Sequence, residues 1–174
     1  MQRKQIKINL FDGRSLDKAI QQIRQYQNSL PRKVQTFIDR LAKEGLQVVQ
    51  STMESVPDEE KGSYYTEIVN TSNGDIIGAA IRLTGDKVLF IEFSAGITYG
   101  TPKGGYPLDS GKQYGVGTYP GQTHAESPYG WWWVDDQGNK HHSYGNRAYM
   151  PMYHADQAII MQIREVAKEV FGGD

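Results

Sequence analysis

The sequence predicts an α+β domain in which a small antiparallel sheet packs with a long N-terminal helix and a C-terminal helix. Two amphipathic stretches and a group of strand-like runs support this fold class. Apolar residues recur at helical spacing over residues 16–53 and again over 155–170, whereas the runs between 64 and 95 are rich in β-branched and aromatic residues. With 174 residues, 38% of them hydrophobic, the chain has the material for one core, and we expect residues 1–174 to form a single domain.

The N-terminus is expected to begin with a short strand, because Ile6, Ile8 and Leu10 alternate with polar residues up to Phe11. A helix follows, and Ser15 is positioned to cap it. We expect this helix to end before the proline at position 31, since proline suits the first position of a following helix.

A second helix is predicted to complete the N-terminal region, residues 1–56, and to end at the segment SVPDEEKGS. Gly45 lies on the apolar stripe of this helix, which predicts either a kink or a close backbone contact there. The stripe comprises Val34, Phe37, Ile38, Leu41, Val48, Val49 and Met53.

Three runs within residues 64–95 predict an antiparallel meander: YYTEIVN, DIIGAAIRL and KVLFIEFSAG. Asn73-Gly74 and Gly85-Asp86 separate them, and such pairs are typical of tight hairpins. The third run is apolar on both faces, so we expect it to be the central strand. An amphipathic C-terminal helix is predicted over residues 151–171.

Residues 96–150 have an unusual composition, with eleven Gly, seven Tyr, four Pro and all three Trp of the chain. Loops of this length without structure are uncommon in compact domains and are usually functional or disordered. This segment is too aromatic to be disordered, so we expect an ordered projection. The turn signal DQGN between WWWV and KHHSY predicts a hairpin at residues 131–144.

The three consecutive tryptophans are the first candidate for a binding surface. On a strand, Trp131 and Trp133 face one side and Trp132 the other, so at least one indole is expected to be exposed or in an interface. Exposed aromatics occur at protein interfaces and also stack on sugars and bases. The alternative is a minor core beneath a long loop.

Charge and cysteine content exclude several classes of function. The formal net charge of -1 does not favour binding to nucleic acid or to anionic membranes. Zero cysteines exclude disulfides, thiolate nucleophiles, zinc ribbons and iron–sulfur clusters. Neither a membrane-spanning run nor a signal peptide is evident, so synthesis in the cytoplasm is expected.

The charge is distributed unevenly along the chain. Residues 1–50 contain ten Lys/Arg and four Asp/Glu, and residues 51–100 contain three and eight, giving +6 and -5. Such complementary ends would suit head-to-tail association of identical subunits. A solvated basic helix and an acidic loop would account for the same counts.

Histidines and aspartates occur in the same region, as a metal-dependent site would require. Adjacent histidines on a strand point to opposite faces, and neither an HExxH pair nor a compact carboxylate motif is present. The glycines match no phosphate-binding pattern. We therefore expect no catalytic residue, no metal and no cofactor. The residues weighed as metal ligands are His124, His141, His142, His154, Asp135 and Asp136.

The order of elements resembles a known family. An N-terminal helical segment, a small sheet, a loop-rich excursion and a C-terminal helix preceded by small, proline and aromatic residues occur in that order. The segments IEFSAGITYG, WWWVDDQGNKHHSYG and AYMPMYHADQAI carry the pattern. In these features the chain is similar to the minor tail-component, or tail-completion, proteins of long-tailed, lambda-like bacteriophages and prophages, over residues 16–171.

The resemblance implies a structural rather than an enzymatic role. Proteins of this family form a ring at the neck of the virion, join the head to the tail, and complete the passage for DNA. The implied partners are further copies of the chain, portal, adaptor or other neck proteins, and tail-tube proteins. Genomic DNA would pass through without sequence-specific binding, and no membrane is involved. The subunit would be made in the bacterial cytoplasm and reside in the virion.

The candidate assembly residues are the exposed aromatic and histidine side chains of the projection: Tyr99, Tyr106, Tyr114, Tyr119, Trp131, Trp132, Trp133, His141, His142 and Tyr144. Two other functions remain open. The tryptophans and tyrosines would also suit a carbohydrate or cell-wall binding module. A weaker alternative is a metal-dependent hydrolase that uses His124, His141 or His154 with Asp135 or Asp136.

Overall fold

The computed structural model describes residues 6–9, 11–95, 129–135 and 137–172. They form the predicted α+β fold, with a long N-terminal helix, a C-terminal helix and small antiparallel sheets. The elements are α1 (Gly13–Glu54), α2 (Asp58–Lys61), β1 (Tyr64–Asn70), β2 (Ala79–Gly85), α3 (Val88–Phe93), β3 (Trp131–Val134), β4 (Lys140–Ser143) and α4 (Pro151–Gly172).

The expected N-terminal strand is wrong for residues 6–9, which are in no regular element. Local hydrogen bonds satisfy this segment instead, because the Asn9 N–H donates to Ser15 Oγ at 2.8 Å. Asp12, rather than Ser15, caps α1, and its side chain accepts from the Arg14 N–H at 3.0 Å. The polar side chains beside the helix start therefore compete successfully with strand pairing.

The expected break before Pro31 is also wrong, since α1 is one helix of 42 residues that includes this proline. A helix of that length measures ~63 Å. A proline inside a helix removes one backbone hydrogen bond and costs about 3 kcal/mol. The apolar stripe stays in phase across the proline: Leu16 and Val34 are about five full turns apart, so both halves present the same face. After α1, the segment expected to end the helical region contains the short helix α2.

The first hairpin is confirmed. β1 and β2 pair antiparallel with Ile68 opposite Ile81, and the turn between them includes Gly74 at a φ of 57°. The expected third strand and its hairpin at Gly85-Asp86 are wrong, because α3 occupies Val88–Phe93.

The helical conformation of α3 follows from which side chains it buries. Val88, Ile91 and Glu92 have the i, i+3, i+4 spacing of one helix face, and Ile91 is fully buried. An apolar run this short fits a buried helical turn as well as a central strand, so periodicity alone did not separate them.

The core lies where the C-terminal half of α1 meets α3 and α4. It comprises Val49, Met53, Val56, Ile91, Tyr149 and Ala155. The predicted C-terminal helix is confirmed as α4, and it runs antiparallel to α1: the Phe37 and Phe171 rings are 5.7 Å apart, and Arg40 pairs with Glu169.

The close contact predicted at Gly45 is confirmed. A Cβ there would lie 2.5 Å from Ile81 Cδ1 and 2.7 Å from Ile159 Cδ1. Real Cβ atoms do not approach so closely, so the missing side chain lets α1 approach both β2 and α4.

Candidate assembly interface

The hairpin predicted at residues 131–144 is confirmed. β3 and β4 pair antiparallel, with Trp132 opposite His142 and Trp133 opposite His141. Asp135 closes the turn, and its carboxylate accepts from the N–H groups of Gln137 and Asn139 at 2.9 and 2.8 Å.

His141 completes this turn, because its Nε2 lies 2.9 Å from Asp135 Oδ2. The hydrogen bond from His141, followed by those from Asn139, holds the pKa of Asp135 well below its usual range. The carboxylate is therefore ionised at neutral pH and serves as the acceptor that orders the turn.

One face of the hairpin is pinned to the body of the protein. The Trp133 and His141 rings stack at 4.5 Å with an interplanar angle of 22°. The Lys87 ammonium lies 5.9 Å from the centre of the Trp133 ring, a cation–π distance, and also donates to the Glu59 carbonyl at 2.9 Å. Lys87 thus links the hairpin to α2 and to the start of α3.

The opposite face of the hairpin is an exposed row of rings. His142 lies between Trp132 and Tyr144, with ring centres 4.8 and 4.5 Å away and edge-on packing in both pairs. Trp132 is 68% exposed and Tyr144 is 57% exposed. We call Trp132, His142 and Tyr144 the aromatic face, and it confirms the expectation that part of the tryptophan run is exposed.

The base of the projection is fixed where the chain leaves and rejoins the core. Ala95 and Asn146 form an isolated antiparallel bridge. The Ser94 hydroxyl donates to the Asn146 carbonyl at 2.7 Å, and the Asn146 side-chain amide donates to the Phe90 carbonyl at 2.8 Å. Ser94 is fully buried and has a φ of 76°, so the structure around it maintains a strained backbone.

The structure brings six of the ten candidate assembly residues together in the hairpin: Trp131, Trp132, Trp133, His141, His142 and Tyr144. The other four lie outside the described residues: Tyr99, Tyr106, Tyr114 and Tyr119.

The histidines weighed as metal ligands are not brought together where they are described. His141 and His142 point to opposite faces of β4, and His154 is on α4, where burial lowers its pKa. His124 and Asp136 lie outside the described residues. Within the ranges described, no three His, Asp or Glu side chains form a group that could hold a metal ion.

Sequence reasoning missed a second surface, the N-terminal half of α1. Nearly every residue from 13 to 28 is exposed, including Leu16 at 50% and Ile23 at 54%. Because α4 ends beside Phe37, α1 extends ~36 Å beyond it. We call residues 13–30 the arm. Its apolar stripe is visible in the sequence as helical spacing, which does not show whether the stripe is covered.

A groove at the other end of the subunit was also missed. It has a volume of 360 Å³ and lies between the end of β2, α3 and the first turns of α4. Its signal was hidden because Val88–Phe93 was expected to be a strand. The apolar lining residues are Leu83, Val88, Leu89, Phe93, Met152 and Tyr153.

Two carboxylates belong to this groove. Glu92 is buried and accepts from the N–H groups of Met152 and Tyr153 at 2.9 and 3.1 Å, so it caps the start of α4. Burial raises the pKa of Glu92 despite these hydrogen bonds. Asp156 is exposed at the rim.

No helix in the described ranges is long and apolar enough to cross a membrane. Comparison of the chain with protein-family models, curated proteins and solved structures gave no match.

Proposed function

We propose that this chain is a structural virion protein of a long-tailed bacteriophage or prophage, a tail-completion subunit that forms a ring at the neck and joins the head to the tail. One observation carries the proposal: the arm of α1 extends ~36 Å past the end of α4, and Leu16, Ile20 and Ile23 on its apolar face are exposed. Exposed contiguous apolar surface of this kind is typical of protein interfaces. A subunit built to assemble accounts for it.

The charge distribution supports a cyclic arrangement. The arm is basic, and the segment from the end of α1 through α3 is acidic, so the two ends of one subunit differ in sign. Two unlike surfaces on one subunit favour head-to-tail contacts, which close into a ring when the rotation between neighbours permits. Electrostatic attraction between unlike ends would also fix the order of association.

The aromatic face of the hairpin would supply a second contact, directed at a portal, adaptor, other neck or tail-tube protein. Trp132 and Tyr144 are large amphipathic rings of the type enriched at interface hot spots. The hairpin itself is secured by Trp133 and Lys87 on its other face, so the aromatic face is presented on a fixed support.

Native mass spectrometry of the purified chain over a range of concentrations tests this function. A closed homo-oligomer without bound metal is the expected result. Antibody labelling of phage particles should then place the protein at the head–tail junction. Labelling elsewhere on the particle would overturn the neck assignment, and a stoichiometric metal ion would favour a hydrolase instead.

The aromatic face also favours one alternative function, a carbohydrate or cell-wall binding module. Exposed tryptophan and tyrosine rings stack on the apolar faces of sugars. Retention of the protein on a cell-wall polysaccharide column, lost in Trp132→Ala, would support the binding module. Loss of assembly in the same variant, without polysaccharide retention by the parent protein, would support the connector.

A further inference from the structure

The apolar face of the arm continues a surface that is already an interface inside the subunit. Leu16, Ile20 and Ile23 are in phase with Val34 and Leu41, where α1 is covered by α4 and the sheet. The residues of this face remain apolar beyond the point where α4 and the sheet stop covering α1. Ala19 on this face is buried, but Leu16, Ile20 and Ile23 around it are exposed, so this part of the arm extends the packed face of α1 and is suited to an apolar element from outside the subunit.

The groove presents the complementary chemistry. Leu89 is 51% exposed at its lip, and Phe93 and Met152 line its wall. The exposed Asp156 places negative charge at the rim of this apolar lining, whereas Glu92 is buried and occupied by the cap of α4. A ligand that fits would carry apolar side chains flanked by basic ones.

The arm has that composition. Residues 13–30 contain three basic residues and one acidic residue, and Arg24 flanks the apolar face two positions before Tyr26. The segment 54–92, which contributes α2, β1, β2 and α3, contains eight acidic and three basic residues. Pairing an arm with another arm would bring like charges together, whereas pairing it with the groove brings unlike charges together.

The two surfaces also lie at opposite ends of the subunit. α4 runs antiparallel to α1, and Ala155 in its second turn belongs to the same core as Met53 near the end of α1. The groove is therefore beside the C-terminal end of α1, and the arm is its N-terminal end. One copy cannot fill its own groove with a straight helix.

We infer that the arm of one copy docks in the groove of a second copy, with Leu16, Ile20 and Ile23 on the apolar lining and basic side chains toward Asp156 and the acidic segment. This inference rests on the proposed ring-forming function and identifies the surfaces through which neighbouring subunits of the ring would contact each other. Each copy then donates one arm and accepts one, which is the heterologous contact that a ring requires.

Complementary variants test the contact. The arm variant carries Leu16→Asp and Ile23→Asp, the groove variant carries Leu89→Asp, and Met161→Asp is the matched control because Met161 is 74% exposed and away from the groove. Each arm or groove variant alone is expected to be monomeric by native mass spectrometry, with helical content unchanged by circular dichroism. The control should assemble as the parent protein does.

An equimolar mixture of the arm variant and the groove variant gives the decisive result. One intact arm and one intact groove remain between the two chains, so the expected product is a heterodimer at twice the monomer mass that does not grow further. A symmetric arm-to-arm contact would instead let the groove variant assemble alone, and that result would overturn the inference.

Charge reversal provides a second measurement that leaves the apolar residues unchanged. Arg24→Glu is expected to weaken assembly, and Asp156→Lys in the same chain is expected to restore it in part. Failure of Arg24→Glu to change assembly at low salt would contradict the docking direction. If the parent protein oligomerises and the arm variant still does so, the inference fails while the connector function stands. If the parent protein stays monomeric at its highest soluble concentration, self-docking is excluded, and labelling at the neck decides the function separately.

Discussion

Ala95 and Asn146 exchange two backbone hydrogen bonds across the base of the projection: the Ala95 N–H donates to the Asn146 carbonyl at 3.1 Å, and the Asn146 N–H donates to the Ala95 carbonyl at 3.0 Å. The residues that these bonds enclose, 96–145, therefore leave and re-enter the core at adjacent points. The core contacts of α1, α3 and α4 do not depend on the path taken between them.

Excision of residues 100–145 is accordingly expected to leave a folded protein that does not assemble. The remaining residues 96–99 reach at most ~14 Å, which is enough to join two neighbouring backbone positions. Circular dichroism and urea denaturation should report retained helices and a cooperative transition, and under the proposed neck function particle completion should be lost. Completion of particles by the shortened chain would show that the projection is dispensable for assembly.

Gly45→Val is expected to destabilise the fold by about 2 kcal/mol, because the new side chain would overlap Ile81 and Ile159. The control is Gly13→Val, since a Cβ at Gly13 has no atom within 4 Å and the change should alter stability by no more than about 0.5 kcal/mol. Urea unfolding of both variants checks the difference. Equal urea midpoints for the two variants would mean that α1 can move away from α4 at Gly45 without loss of folding free energy.

Glu92 is expected to make stability depend on pH. Burial raises its pKa in the folded state above the ordinary value of 4.5, so protonation favours the folded state. That contribution is fully present below 4.5 and is lost as the pH rises through the folded-state pKa. Relative to Glu92→Gln, the parent protein should therefore gain stability as the pH falls from neutral toward 4.5. A relative loss on acidification would mean that the N–H donors of Met152 and Tyr153 outweigh burial.

Trp132→Ala and Trp133→Ala are expected to separate binding from stability. Trp132 is on the exposed aromatic face, so its loss should change stability by less than about 0.5 kcal/mol and, under the proposed function, reduce completed particles on the order of tenfold. Trp133 stacks on His141 and contacts Lys87, so its loss should cost about 1 kcal/mol. Thermal unfolding and particle counts report the two effects. Wild-type particle numbers with Trp132→Ala would remove the aromatic face from assembly.

The elements that sequence periodicity predicted correctly are those whose signals are local. β1, β2 and the β3–β4 hairpin each combine alternating residues with a turn signal, and α4 has an uninterrupted apolar stripe starting at Pro151. The exposed position of Trp132 followed from simple alternation along a strand.

The errors arose where tertiary packing overrides local preference. Pro31 is a strong local stop signal, yet α1 continues through it with the apolar stripe in phase on both sides. Val88–Phe93 is short and mostly apolar, and its packing against neighbouring elements, including the hydrogen bond from Met152 to Glu92, goes with a helix rather than a strand. The arm and the groove depend on these two elements, so neither surface was predictable before the fold was known.

The C-terminal half of α1 is packed against the rest of the subunit and the arm is mostly exposed. The backbone hydrogen bonds of this one helix should therefore open at two different free-energy costs. Most of the stability of a helix in water comes from packing of its apolar face, which the segment around Val49 and Met53 has and the arm, apart from Ala19, lacks. Amide protons of residues 14–28 should thus exchange with solvent much faster than those of residues 41–53. If another molecule buried the arm, amide exchange of residues 14–28 would slow and that of residues 41–53 would stay unchanged. The ratio of the two exchange rates would therefore report whether the arm is bound.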